Sequence, residues 1–303
     1  MKPVETDFRC GYVAIVGRPN VGKSTLLNRL VGQKISITSR KPQTTRHQIL
    51  GIKTTSKYQV VYVDTPGLHS NAKRAMNRYM NRAATNVLHG VNIVVFLIEA
   101  LRWTEDDELV LSRIKDSGIP VMLLVNKIDK LEDKTRLLPF LQELAGKHTF
   151  EHILPVSALK GKSLEEFEQL IQGYLDPSEA WYAEDMVTDR SIRFLTAEII
   201  REKLMRTLGQ EIPYDLTVEI EQFTEKENST HIGALIWVER NNQKSIVIGK
   251  NGERLKLIGK QSRKDIEHLL DKKVFLELWV KVKEGWSDDE RALLSLGYKD
   301  ELE

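Results

Sequence analysis

Gly17-Arg18-Pro19-Asn20-Val21-Gly22-Lys23-Ser24-Thr25 satisfies the pattern G-x-x-x-x-G-K-[ST] at every fixed position. Before it, Gly11-Tyr12-Val13-Ala14-Ile15-Val16 reads as a buried strand, and after it Leu26, Leu27, Leu30 and Val31 recur at helical spacing. A strand running into a glycine loop that opens a helix is the setting a phosphate-binding loop needs. Backbone N–H groups and the helix N-terminus favour an anion there. Lys23 can reach the β- and γ-phosphates of a nucleotide, and the Ser24 hydroxyl can bind Mg²⁺. All nine residues, Gly17 to Thr25, are therefore candidate nucleotide contacts. The bland alternative is a strand-turn-helix with a surface lysine; both glycines and both flanks weigh against it.

Bulk properties set the frame around this loop. A chain of 303 residues predicts about two domains. Hydrophobic content of 41% with 29% charged residues is ordinary for globular protein and provides for a sizeable core. The formal charge of +2 selects no partner by itself, so its distribution matters more. Cys10 is the only cysteine, which excludes an internal disulfide and a cysteine-based zinc cluster and agrees with a cytoplasmic protein. The first eight residues have no apolar signal-peptide core. The longest apolar run, near 91–101, is broken by Asn92 and Glu99, whereas a membrane span needs about 20 residues.

Strands and helices alternate from Gly11 to about Leu175. Segments 49–54 and 58–63 are close enough to form a hairpin, and 92–98 and 120–125 are continuous apolar runs, the mark of strands buried on both faces. Thr104-x-x-Asp107 starts a helix as a capping box. The order predicts an α/β domain with a mostly parallel sheet and helices on both faces. Ligands of such sheets lie at the carboxyl ends of the strands.

Three of those ends carry chemistry. Asp64-Thr65-Pro66-Gly67 follows the strand at 58–63; the aspartate can hold Mg²⁺ through a water, and the Gly67 N–H can meet a γ-phosphate and move when it leaves. Asn126-Lys127-Ile128-Asp129 follows the strand at 120–125. A carboxylate here can accept from N1–H and the 2-amino group of guanine, a pair of donors adenine lacks. Two charge-assisted bonds at about 1.5–3 kcal/mol each predict roughly 10²–10⁴-fold rejection of ATP. Ser157-Ala158-Leu159 follows the last strand and can offer backbone N–H groups to the base oxygen. Each segment alone is a common turn; four in this order, each at a strand end, are not.

Residues 11–175 thus resemble a GTPase domain of the translation-factor-related class, and Gly17–Ser24 with Asp64–Gly67 resembles its TrmE/Era/Der branch. The resemblance implies that Lys41-Pro42-Gln43-Thr44-Thr45-Arg46 is the first switch, with Thr45 reaching Mg²⁺ when the γ-phosphate is present and Thr44 as the alternative. Leu68 stands where many GTPases place a water-orienting glutamine, so the chain resembles the branch with a hydrophobic residue there. Slow turnover follows unless another group substitutes. In relatives with an asparagine at the position of Asn20, its amide oxygen helps hold K⁺ beside the phosphates. Lys23, Asn20, Thr45 and Gly67 are accordingly the candidate catalytic residues, and Ser24, Thr45 and Asp64 the candidate Mg²⁺ set.

Composition shifts at Gly173-Tyr174-Leu175-Asp176-Pro177-Ser178, which sets the boundaries 1–175 for the first domain and 176–190 for a linker. Residues 191–284 then read as a smaller α+β domain, and 285–303 as a helical tail with Ser287-x-x-Glu290 as its cap. A helix carrying Leu195, Ile199, Ile200 and Leu204 precedes two alternating strands, Leu216/Val218/Ile220 and Ile232/Ala234/Ile236/Val238. Ile248-Gly249-Lys250-Asn251-Gly252 and a second helix follow, then a final strand at 274–282. The helix before the glycines is short or merged with 243–247.

That loop resembles the G-x-x-G of a KH domain, in which the backbone approaches a single-stranded nucleic acid and four nucleotides are clamped. Arg254 and Lys256 extend the candidate RNA contacts. From Arg240 to Lys273 ten Lys and Arg stand against four acids, a local excess of +6. A GTPase followed by a KH-like module resembles the Era family along nearly the whole chain. The resemblance implies a monomer that binds the 3′ region of 16S ribosomal RNA and acts in maturation of the 30S ribosomal subunit, with peripheral association at the inner membrane. Two rivals differ in class: an RNA chaperone whose nucleotide pocket only modulates affinity, and a cell-cycle GTPase whose basic face binds anionic lipid.

Overall fold

A computed structural model of the chain describes residues 7–39, 41, 43–67, 74–87, 90–209, 215–296 and 298. They fall into two compact units: residues up to 189 without 37–44 and 73–79, and those two stretches with 190 onward.

The first unit is built on one mixed sheet. Its strands are β1 (Arg9–Val16), β2 (Ile49–Thr54), β3 (Tyr58–Asp64), β4 (Ile93–Glu99), β5 (Val121–Asn126), β6 (His152–Pro155) and the two-residue β7 (Asp176–Pro177). The order is β2-β3-β1-β4-β5-β6, with β7 antiparallel on β1 and β2 antiparallel on β3; the other pairings are parallel. The helices are α1 (Lys23–Val31), α2 (Ala75–Asn86, shared between the units), α3 (Glu105–Lys115), α4 (Leu137–Ala145) and α5 (Leu164–Gln172). The apolar runs 93–98 and 121–125 are fully buried because both faces are covered. Phe96, Ile98, Leu123 and Val125 share a core with Val110, Leu111 and Ile114 of α3, each contributing about 1.5–3 kcal/mol. The capping box forms as expected: Thr104 N donates to Asp107 Oδ2 at 3.0 Å, and Asp107 N to Thr104 Oγ1 at 3.4 Å.

This topology places the site. β1 lies between β3 and β4, so the chain leaves β1 to one side of the sheet and later returns to the other. The crevice at that reversal is where open α/β sheets bind ligands, and Gly17–Lys23 fills it.

The segment expected as a linker is folded onto the first unit through residue 189. Gln59, completely buried on β3, is the reason. Its Oε1 accepts Trp181 N at 2.8 Å and Tyr182 N at 3.0 Å, and its Nε2 donates to Tyr182 O at 2.9 Å. Trp181 stacks on Tyr12 with centroids 5.0 Å apart, and Ile52 N donates to Val187 O at 2.9 Å. Breaking these bonds would leave the fully buried Gln59 amide unpaired, which is costly, so this stretch is no free tether.

The second unit has the sheet order β10-β9-β8, made by β8 (Leu216–Glu225), β9 (Ser229–Val238) and β10 (Lys273–Val282). β8 pairs antiparallel and β10 parallel with β9. Its helices are α6 (Ile192–Thr207), α7 (Asn241–Ile248), α8 (Glu253–Leu270) and α9 (Glu290–Ser295). Ile200 and Leu204 of α6, Ile258 and Ile266 of α8 and the inward residues of β9 form one core.

α6 also buries four charged residues, Glu198, Arg201, Glu202 and Lys203. Burying charge is tolerable only when each is paired, and here they are. Arg201 lies 2.6 Å from Glu198, Arg206 lies 3.0 Å from Glu202, and Lys203 reaches Glu202 at 3.3 Å and also Asp265. The remaining capacity is met by residues 37–44. Thr38 N donates to Glu202 Oε1 at 3.0 Å, Arg206 Nη2 donates to Thr38 O at 2.8 Å, Lys41 Nζ donates to Gly209 O at 2.9 Å, and Arg201 donates to Thr44 O.

The cap of α9 differs from expectation. Asp289 caps it, accepting Arg291 N at 2.9 Å and Ala292 N at 3.3 Å. Ser287 instead donates from Oγ to Glu239 at 2.6 Å, because it sits in the short 3₁₀ turn Trp286–Asp288 that Gly285 opens at φ 69°. No described helix is long and apolar enough to cross a membrane.

Candidate functional site

The loop between β1 and α1 is shaped by its glycines. Gly17 has φ 153° and Gly22 φ 112°, both in the range that favours glycine. A Cβ on Gly17 would lie 2.3 Å from Leu97 O, and one on Gly22 2.4 Å from Asn126 Nδ2. Asn20 adopts φ 65° without that freedom, a conformation asparagine tolerates better than most. Lys23 is buried, and its Nζ donates to Gly17 O at 2.8 Å and Arg18 O at 3.1 Å. Burial pulls its pKa down to about 8, with the Asp64 charge opposing that pull. Val21 and Pro19 line the loop's inner side: Val21 is fully buried, and a Cβ on Gly67 would meet Pro19 at 2.8 Å.

Three oxygen side chains from separate segments meet beside this loop. Ser24 Oγ lies 2.8 Å from Thr45 Oγ1 and donates to Asp64 Oδ2 at 2.8 Å. Thr44, the alternative to Thr45, is turned elsewhere: its Oγ1 donates to Lys41 O at 2.6 Å. Ser36 Oγ joins the group, donating to Asp64 Oδ2 at 3.0 Å. Asp64 is completely buried, burial raises its carboxyl pKa against the pull of Lys23, and its Oδ1 has no hydrogen-bond partner. A buried carboxylate oxygen without a donor beside two hydroxyls is a set of hard oxygen donors of the kind Mg²⁺ accepts. Thr65 faces away, donating from Oγ1 to Ile15 O at 3.0 Å. Pro66 and Gly67 close the segment, and Leu68 lies outside the described residues.

At the base end, Asn126 is a tie. Its Nδ2 donates to Val21 O at 2.8 Å, and its Oδ1 accepts Ala158 N at 2.9 Å. One side chain thereby joins the phosphate loop, the end of β5 and the loop after β6. The Ala158 N–H expected at the base oxygen is engaged with Asn126. Lys127 sits at φ 68° and turns the chain so that Ile128 is buried and Asp129 exposed. Ser157 Oγ donates to Asp129 Oδ1, which orients that carboxylate. Leu159 is 63% exposed, and its carbonyl accepts Arg29 Nη2 at 3.1 Å.

In the second unit the glycine loop joins α7 to α8. Gly249 has φ 74° and Gly252 φ 78°, and Asn251 between them has φ 52°. A Cβ on Gly249 would fall 2.7 Å from Arg254 Cβ. Ile248 packs against the core, Lys250 and Lys256 are exposed, and Arg254 donates to Ile246 O, pinning the loop to the end of α7. Ile246 and Leu257 expose 41% and 47% of their surface on the two helices flanking the loop.

Sequence reasoning missed Ser36, Glu99 and Asp107 near the nucleotide site. Ser36 lies in a loop without pattern. Arg18 pairs with Glu99 at 3.2 Å and Asp107 at 3.0 Å; Asp107 was legible only as a helix cap.

Residues 12–127 match the family described as 50S ribosome-binding GTPase, and residues 211–287 match the KH domain. The chain is 59% identical over 292 residues to GTPase Era of Ectopseudomonas mendocina, covering 96% of this chain and 98% of that protein. It is 58% identical over 296 residues to GTPase Era of Azotobacter vinelandii, covering 98% and 99%. Among solved structures it resembles Era in complex with MgGDPNP and nucleotides 1506–1542 of 16S ribosomal RNA, at 40% identity and TM-score 0.93 over 97% of this chain and 100% of that one. An Aquifex aeolicus Era variant bound to GDP.AlF4- matches at 40% identity and TM-score 0.93, covering 96% and 100%. The chain belongs to the Era family of GTPases.

Proposed function

We propose that the chain is a GTP-driven switch for single-stranded RNA, engaging the 3′ region of 16S ribosomal RNA during maturation of the small ribosomal subunit. The observation that carries the nucleotide half is the meeting of Ser24, Thr45 and Asp64 around an unpartnered carboxylate oxygen, beside a loop whose lysine is buried. In this reading Lys23 and the N–H groups of residues 17–25 take the phosphates. Ser24 and Thr45 take Mg²⁺ directly, Asp64 takes it through a water, and Asp129 takes the guanine edge. Bound Mg²⁺ supplies positive charge against the phosphate oxygens. The Gly67 N–H meets the γ-phosphate, and a water attacks in line; phosphoryl transfer of this kind is mostly positioning and electrostatics.

Asn20 is the proposed neighbour of a K⁺ ion that offsets the absence of a glutamine at Leu68. The expected result is faster hydrolysis in KCl than in NaCl at equal ionic strength, and equal rates would remove K⁺ from the account.

The RNA half rests on the Gly249–Gly252 loop, its flanking exposed apolar residues and the basic excess around it, and on the relative bound to 16S ribosomal RNA. A carboxylate on Gly252 would repel a phosphate and strain a φ of 78°. Gly252→Asp should weaken binding of a 16S 3′-end oligonucleotide at least about tenfold and leave GTP affinity within about twofold. A parallel loss of both, in a filter-binding and a nucleotide titration, would contradict two separately working sites.

The switch reading draws on the anchoring of residues 37–44. Their backbone is fastened to α6 by Glu202, Arg206 and Arg201, and Thr45 follows at once in the chain. In this proposal a Thr45 that is drawn to the metal with GTP and released with GDP pulls on a segment held by the RNA-binding unit.

A further inference from the structure

Glu99 ends β4 and belongs to none of the nucleotide motifs. Its two carboxylate oxygens are divided between two of them. Oε2 accepts Arg18 Nη2 at 3.2 Å, and Oε1 meets Lys127 Nζ at 3.1 Å. Arg18 is a residue of the phosphate loop, and Lys127 is a residue of the base motif. Beyond Arg18 the chain of charges continues: Arg18 Nε donates at 3.0 Å to Asp107 Oδ2, the same oxygen that closes the cap of α3. Signs alternate along the row from Asp107 through Arg18 and Glu99 to Lys127. Arg18 and Asp107 are buried, Glu99 and Lys127 partly so; only the outlying Arg102, 3.9 Å from Glu99, is a rim contact.

The backbone agrees with this division. Glu99 pairs in register with Asn126, and Ala100 N donates to Asn126 O at 2.8 Å, so the end of β4 is locked to the start of the base motif. Lys127 has φ 68°, a conformation disfavoured for a residue with a Cβ, and its side chain is the one that Glu99 holds. Burial pushes the Glu99 carboxyl pKa up, but Lys127 and Arg18 together bring it below its ordinary value, so it stands ionised between them.

We propose that Glu99 is a positioning residue for nucleotide binding: one carboxylate that sets the spacing between the phosphate loop and the base motif. A nucleotide touches both motifs at once. If they drift independently, contact at one end does little for the other; if their spacing is preset, binding costs less ordering. Asn126 already ties the two motifs through Val21 and Ala158, and Glu99 supplies a second, ionic tie on the Arg18 side. The inference rests on the reading that residues 17–25 and 126–129 hold the nucleotide.

The test is a double-substitution cycle on the full chain, with Kd for a fluorescent GDP, KM and kcat for GTP, and the melting temperature of the nucleotide-free protein. Glu99→Gln keeps the shape and removes the charge; Lys127→Met removes the partner. Glu99→Gln is expected to raise Kd and KM about tenfold with kcat within twofold. The double variant is expected to lose no more than about twofold beyond the weaker-binding single variant, since both act through one contact. Fully multiplying losses, or a fall in kcat at unchanged KM, would overturn the role. A lowered melting temperature with Kd unchanged at a temperature where all variants are folded would also overturn it, since that is a purely structural effect. If Glu99→Gln fails to fold, Glu99→Asp carries the same test, because its shorter chain cannot span both cations and the same rise in Kd is expected. Lys23→Ala and Asp129→Ala serve as controls: if they bind like wild type, the site assignment fails; if they lose affinity and Glu99→Gln does not, only the role of Glu99 fails.

Discussion

Lys23→Ala is expected to lower kcat/KM for GTP by about 10²–10³-fold, read as phosphate release under single-turnover conditions. The Lys23 ammonium sits within the phosphate loop. It is buried and donates to Gly17 O and Arg18 O, so the loop is closed around its own cation. Such a charge is held at a cost: burial, with Arg18 beside it, lowers its pKa to about 8 against the opposing pull of Asp64 and Asp107. A triphosphate in the loop would give the charge a strong partner. Alanine removes both the charge and the donor where negative charge gathers in the transition state, and water cannot replace a preset donor in a closed loop. The fold should survive, because Leu26, Leu27 and Leu30 anchor α1 independently of Lys23. A loss smaller than about fivefold would mean that the loop amides alone carry the phosphates.

Asp129→Ala is expected to weaken GTP binding by about 10²–10⁴-fold while leaving the feeble binding of ATP nearly unchanged, so that the GTP-to-ATP ratio falls toward one. The carboxylate is exposed and oriented by Ser157 Oγ. It is therefore available to accept two donors from a guanine edge at about 1.5–3 kcal/mol each. Because Asn126 is spent on Val21 and Ala158, no neighbouring amide from that residue can take over. Titration of both nucleotides by calorimetry decides the matter, and equal proportional losses for GTP and ATP would assign Asp129 to general loop structure.

Much of the first unit could be read from local pattern. The unbroken apolar runs at β4 and β5 predicted strands buried on both faces, and they are. Thr104 and Asp107 predicted a capping box, and both bonds of it form. The glycine loop and the aspartates stood out because their chemistry constrains residue type at fixed spacing. What escaped depends on partners far away in the chain. Gln59 looks like one polar residue in a strand, yet it receives the chain more than a hundred residues later and turns the expected linker into part of the first unit. The charges of α6 look like a solvated face, and they are buried because residues 37–44 lie against them. Ser287 matched a capping pattern, but Asp289 lies directly at the helix start and Glu239 takes the Ser287 hydroxyl. Glu99 belongs to no motif; only the meeting of Arg18 and Lys127 at its two oxygens marks it.

The most direct measurement of the central claim is the affinity of the full chain for a 16S 3′-end oligonucleotide, titrated once with a non-hydrolysable GTP analogue and once with GDP, at one salt concentration and with Mg²⁺ present. The affinities are expected to differ at least about fivefold between the two nucleotide states, the lower end of ordinary coupling between sites. Identical affinities, with both nucleotides shown to be bound, would contradict it.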